Sequence, residues 1–133
     1  MVDHHAALIY TMVLFSAADR DMADSELHVI GDIVNHLPVF AEYDHKRLTR
    51  DLADCATLLG KTNGLQDVLK AIRAALPAKL RETAYAIACD VGSAGGAGRE
   101  VLRLLELLRE RLGIDRLVAA GIERGAEARF SRA

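Results

Sequence analysis

The sequence predicts an all-α fold in a single domain, and three observations carry that prediction. Apolar residues recur at helical spacing along most of the chain, and the alternating β-branched runs that mark strands are missing. The only two prolines, Pro38 and Pro77, fall between apolar-periodic stretches, where a residue lacking an N–H does least damage. Hydrophobic residues make up 51% of the chain but aromatics only 5%, with no Trp. The core must therefore be built from Leu, Ala, Ile and Val, which pack well between helices. A chain of 133 residues supports one such core, burying roughly two thirds of the surface its unfolded form exposes, so residues 1–133 are read as one domain.

About seven helices are predicted in order. The first covers about Asp3 to Ala18, with Leu8, Met12, Phe15 and Ala18 on one face, and breaks into Asp19-Arg20-Asp21-Met22-Ala23-Asp24, a short acidic loop. A second opens at Asp24 or Ser25, either of which suits an N-cap, and buries Leu27, Ile30, Ile33, Val34 and Leu37 before Pro38 ends it. A third spans Asp44 to Leu59. A fourth runs from Asn63 to Leu76, with Asn63 as cap and Gln66 three residues on, and a fifth begins at Pro77 and runs through Val91. The glycine-rich stretch Gly92 to Gly98 reads as a flexible connector of small residues. A Leu-rich helix follows and ends near Gly113, and Asp115 caps a last helix whose tail, Gly125 to Ala133, has little apolar content and is expected to fray.

Charge and cysteine usage narrow the function classes. The net charge of −2 supplies no broad positive field of the kind phosphate-backbone binding needs, so nucleic acid is not an expected partner. Cys55 and Cys89 stand alone in mid-helix patterns, in neither a CxxC pair nor a disulfide frame, and are read as small core hydrophobes in a reducing compartment. The start of the chain has no basic segment before an apolar run, and its longest apolar stretch, Ala6 to Ala18, is too short and mixed to span a bilayer. A cytoplasmic protein with no direct membrane insertion is expected.

An offset of 74 residues aligns two helix-loop-helix units. Val13 meets Ile87, Ala17 meets Val91, Leu27 meets Val101, Ile30 meets Leu104 and Ile33 meets Leu107. These apolar matches are what any two amphipathic helices offer. The match of Glu26 with Glu100 says more, because it puts a carboxylate at the positive end of both second helices. Two pseudo-symmetric hairpins with equivalent mouths are implied.

Ala17-Ala18-Asp19 followed by Glu26 in the first half, and Leu76-Pro77, Arg81, Ala84-Tyr85, Glu100 and Leu112-Gly113-Ile114 in the second, resemble the TerB-type tellurite-resistance family. In that family each half has a helix ending in Ala-Asp-Gly, an acidic loop, and a glutamate seven positions after the aspartate. The chain departs from the pattern at Arg20, where Gly is usual, and at Ser93, which stands in place of the second aspartate. The resemblance implies an all-helical fold with pseudo-twofold character and acidic clusters that bind a divalent metal or partner proteins. It also implies a bacterial stress-response role beside other Ter proteins, including a membrane-embedded one, with no catalytic activity.

Candidate site residues follow from the acidic mouths. Asp19, Asp21, Asp24 and Glu26 offer oxygen-only ligands suited to a hard cation, Ca²⁺ or Mg²⁺, although the spacing is not that of an EF-hand. Asp90 and Glu100 complete a mixed-half site if the hairpins pack about a twofold axis. The competing account is that Asp24 caps its helix, Glu26 complements the dipole, and the remaining acids are solvated. The glycine-rich loop follows a helix rather than a strand and lacks GK[ST], so it is not read as a phosphate cradle. One Glu-x-x-His, at Glu42 and His45, falls short of the paired motif that di-iron bundles require. His28 and His36 flank an apolar face, and His4 and His5 are expected in a mobile terminus. The leading expectation is a non-enzymatic stress-response module that binds a partner and a divalent cation. A metal-free co-chaperone or adaptor is the alternative, and a metal-dependent enzyme the third.

Overall fold

The computed structural model describes residues 2–18, 24–94 and 98–133. Among them are seven α-helices and no strand: α1 (His4–Ala18), α2 (Asp24–His36), α3 (Leu48–Leu59), α4 (Gly64–Ala75), α5 (Arg81–Ala94), α6 (Arg99–Leu112) and α7 (Arg116–Phe130). Short 3-10 turns at Pro38–Phe40, His45–Arg47 and Ala78–Leu80 join or precede them. The all-α prediction holds, and no described helix is long and apolar enough to cross a membrane.

The helix α1 is the axis of the bundle. From His5 to Ser16 every residue is buried, not only the predicted face with Leu8, Met12 and Phe15. A helix apolar all round belongs inside, and α1 is enclosed by the α3–α4 pair on one side and α5 on the other. Its one interior threonine, Thr11, satisfies its hydroxyl by donating to the Ala7 carbonyl at 2.9 Å. Beyond α5 lies α7, while α2 leans mainly on α5, and α6 touches α1, α4 and α5. Tyr85, Phe15, Phe40, Leu69, Ile72, Ile87 and Leu108 fill the centre with almost no exposure.

Helix ends show the local chemistry plainly. At the end of α6, Gly113 adopts the left-handed conformation (φ 68°), its N–H donates to the Glu110 carbonyl, and the Ile114 N–H donates to that of Arg109. This is a Schellman stop, with Ile114 buried beyond it. Asp115 then caps α7, its carboxylate accepting from the N–H groups of Leu117 and Val118. Asn63, by contrast, makes no side-chain cap bond at α4. Gln66 instead accepts from the Arg111 guanidinium of α6, so the predicted capping box gives way to a tertiary bond.

Three further expectations are corrected. The α5 helix runs to Ala94, so Gly92, Ser93 and Ala94 are helical rather than part of a loop. Gly92 is there because α6 comes close: a β-carbon on it would stand 2.8 Å from Val101 Cγ1. The tail of α7 does not fray at Gly125 but stays helical to Phe130. Ala126 is fully buried, and Arg129 reaches back to pair with Asp90 on α5. His4 and His5 belong to the first turn of α1 rather than to a loose terminus. His5 is buried, its Nε2 lies 2.8 Å from the Val39 carbonyl, and its ring stacks at 5.7 Å on Phe40.

Candidate functional site

Two of the predicted ligands, Asp19 and Asp21, lie outside the described residues. Asp24 and Glu26 fall in the first turn of α2, as the repeat predicts. Glu100 occupies the first turn of α6 and is exposed. Asp90 sits ten residues earlier on α5 and faces α7, where its carboxylate accepts a hydrogen bond from Arg129. Its charge is thus already answered by a guanidinium. Among the described residues, no three acidic, histidine or cysteine side chains converge on a common point.

Glu100 instead joins a different feature. An open groove of about 400 Å³ runs along α6. Leu14 and Ala17, near the end of α1, form one part of its lining. Leu59 at the close of α3 and Leu65 at the start of α4 form another. Four residues of α6 complete it, Glu100, Arg103, Leu104 and Leu107, which fall on one helix face at i, i+3, i+4 and i+7. The Leu-rich helix is therefore divided in its duties. Val101, Leu105, Leu108 and Leu112 are buried in the core, whereas Leu104 and Leu107 are half-buried along the groove. Ile30 and Ile33, their partners at the 74-residue offset, are buried on α2. Ala17 is likewise exposed where its partner Val91 is buried. The two halves thus differ where the groove lies.

The turn at the corner of α3 and α4 is stiff for a stated reason. Gly64 packs so tightly on the preceding helix that a β-carbon there would meet the Leu59 carbonyl oxygen at 2.2 Å. Glycine is required, and it sets Leu59 and Leu65 side by side on the groove wall.

A polar cluster at the start of the chain was not anticipated from sequence. Arg47 forms a two-pronged pair with Asp3, at 2.9 and 3.0 Å, and also stands 3.5 Å from the buried carboxylate of Asp51. The Tyr43 hydroxyl donates to Asp51 Oδ2 at 2.6 Å, and the Arg47 guanidinium lies 5.3 Å from the Tyr43 ring centre. The Arg47 hydrogen bonds hold the Asp3 carboxyl well below its ordinary value, at about 2. Burial and the hydrogen bond to Asp51 both push the Tyr43 phenol upward, so it stays protonated and can donate. Tyr10, Arg50 and Asp54 border the same polar cleft. The geometry ties the chain start to α3. Only the i, i+4 spacing of Arg47 and Asp51 hinted at it, and that spacing alone does not reveal that Asp51 is 4% exposed.

The remaining reactive groups are quiet. Cys55 and Cys89 are buried, and burial pushes both thiols up to about 12, far from a nucleophilic thiolate at neutral pH. His28 and His36 are exposed and turn toward Asp32 of their own helix. Glu42 and His45 are both exposed, with buried Tyr43 between them. Comparison of the chain with protein-family models, curated proteins and solved structures gives no match.

Proposed function

We propose that this chain is a non-enzymatic binding module of the stress-response, tellurite-resistance type. It engages a partner protein at the end of the bundle where α1 gives way to α2 and α6 begins. Carboxylates from Asp19, Asp21, Asp24, Glu26 and Glu100 gather there around a divalent cation, Ca²⁺ or Mg²⁺, whose preference is for oxygen ligands. Asp90, engaged with Arg129, contributes to packing of α7 rather than to that set. The protein works in the cytoplasm beside other stress-response proteins, including a membrane-embedded one.

The observation that carries the reading is the groove: an open apolar channel with Glu100 on its lining, its α1 wall ending two residues before the acidic run begins. It supports partner binding with or without a cation, so a metal-free adaptor is the second reading. Buried thiols held far above neutral pH favour both over an enzyme with a cysteine nucleophile.

Thermal unfolding of metal-stripped protein, with and without Ca²⁺, Mg²⁺, Mn²⁺ and Zn²⁺, tests the cation half. A ligand that binds only the native state adds about 2.7 kcal/mol at a hundredfold excess over Kd, which for this length is a Tm rise of roughly 10 °C. The rise should be selective for Ca²⁺ or Mg²⁺ and vanish in the Asp19→Asn/Glu26→Gln variant. No rise with any cation would leave the adaptor reading alone standing.

A further inference from the structure

We infer that the polar cleft between α1 and α3 is a binding site for a small α-amino acid, whose ammonium group meets Tyr10, Asp51 and Asp54 and whose carboxylate meets Arg50. This goes beyond the module proposed above and does not rest on it, because the cleft borders the first half of α1 and the acidic mouth lies past its end. The cleft measures about 360 Å³, within the roughly 300–1,000 Å³ of pockets that hold specific small ligands. Two of its lining side chains are set too deeply to be ordinary surface: Tyr10 is 5% exposed and Asp51 4%.

The Tyr10 hydroxyl points to a ligand most directly. A buried phenol ordinarily finds a hydrogen-bond partner, as Tyr43 does on Asp51 and Tyr85 on Glu123. The Tyr10 hydroxyl bonds to no described residue, and it is not sealed in the core, because the ring borders the cleft. Burial first, and the Asp54 charge next, raise its pKa, so the phenol stays protonated. Asp51 turns Oδ2 to Tyr43 and Arg47 and leaves Oδ1 without a described donor. Arg47 gives both terminal nitrogens to Asp3, so it walls the cleft rather than serving a ligand. Arg50 and Asp54 stand one helical turn apart on α3, and neither pairs with a described residue. Three acceptors are thus unused beside one free guanidinium. An ammonium carries three donors and a guanidinium matches a carboxylate, and the two ends of an α-amino acid answer both. Val2 and Ala6 add a small apolar wall, which suits a short side chain. A bare metal ion fits less well, since among the described residues no three acidic, histidine or cysteine side chains converge.

The test titrates the full-length, metal-stripped protein with L-alanine, and separately with ethylamine and propionate, which each carry one of its charged ends. Backbone amide NMR follows the binding. L-Alanine at millimolar concentration should give saturable shifts centred on residues 6–10 and 50–54. Ethylamine and propionate should bind roughly tenfold more weakly or worse, each having lost one charged contact. Tyr10→Phe, Arg50→Gln and Asp54→Asn should each lower the affinity for L-alanine roughly tenfold, the loss that one hydrogen bond to a charged group converts to. Arg50 and Asp54 are exposed, so their variants keep the fold even where Tyr10→Phe does not. Leu117→Asp, a change at an 82% exposed leucine on α7, should leave affinity unchanged. No saturable shift in the cleft with L-alanine, equal affinity for ethylamine or propionate, or full affinity in either Arg50→Gln or Asp54→Asn would overturn the inference.

Discussion

Replacing Tyr43 by Phe removes one oxygen from the polar cluster and leaves the aromatic packing in place. The ring keeps its edge contact with Phe40, 5.6 Å between centres, and its place beneath Arg47. Asp51 loses its 2.6 Å donor and retains Arg47 at 3.5 Å, beyond good hydrogen-bond distance. With the carboxylate only 4% exposed, water replaces the hydroxyl poorly. A hydrogen bond to a charged group contributes about 1.5–3 kcal/mol. Unfolding entropy near 2.1 cal/mol/K per residue, taken over this chain, converts that to a Tm decrease of roughly 5–11 °C. Circular dichroism melts and urea titrations should agree, with the midpoint lowered and the slope m unchanged. The cycle closed by Asp51→Asn and the double variant should show coupling of about 0.5–3 kcal/mol. A Tyr43→Phe protein that melts within about 1 °C of the parent would refute the account of this cluster, since such a shift is worth only a few tenths of a kcal/mol.

Other perturbations read other parts of the fold. Asp3, with its pKa lowered to about 2 by Arg47, contributes stability that is present above its unfolded value near 3.9 and lost as pH falls through about 2. Its side chain is 44% exposed, so screening limits the contribution to at most about 1 kcal/mol. Acid melts of Asp3→Asn should therefore converge with those of the parent only below about pH 2 and lie under them at pH 6; parallel curves throughout would contradict the pairing. Gly64→Ala should cost about 1–3 kcal/mol because its β-carbon meets backbone that cannot step aside, and a neutral effect in urea titration would show that the α3–α4 corner is looser than drawn. Cys55 and Cys89 should resist a thiol-specific reagent in native buffer and react together on unfolding; prompt native labelling of either would contradict their burial.

Much of the architecture was legible because its signals are local. Pro38 and Pro77 mark real helix boundaries, Gly113 ends α6 in the left-handed conformation, and Asp115 caps α7. The misreadings come from forces that act across the chain. Gly92 reads as loop until α6 is seen to pass within contact of it. The tail of α7 reads as frayed because neither the burial of Ala126 nor the Arg129–Asp90 pair is encoded in neighbouring residues. His5 reads as mobile because its anchors, Val39 and Phe40, lie more than thirty residues away. The site divides in the same manner. The glutamate repeat places Glu26 and Glu100 at matching helix starts, but no periodicity distinguishes Leu105, which the core consumes, from Leu104, which the groove leaves half open. That distinction depends on how Leu59, Leu65 and α1 border the helix.

Cation binding at the acidic mouth is tested most directly by backbone amide NMR of the metal-stripped protein titrated with Ca²⁺ or Mg²⁺, which reads the site residue by residue. Saturable shifts are expected at residues 17–27 and 98–104, with the polar cleft of Tyr10, Asp51 and Asp54 unmoved. Shifts centred on that cleft, or none at either end, would contradict it.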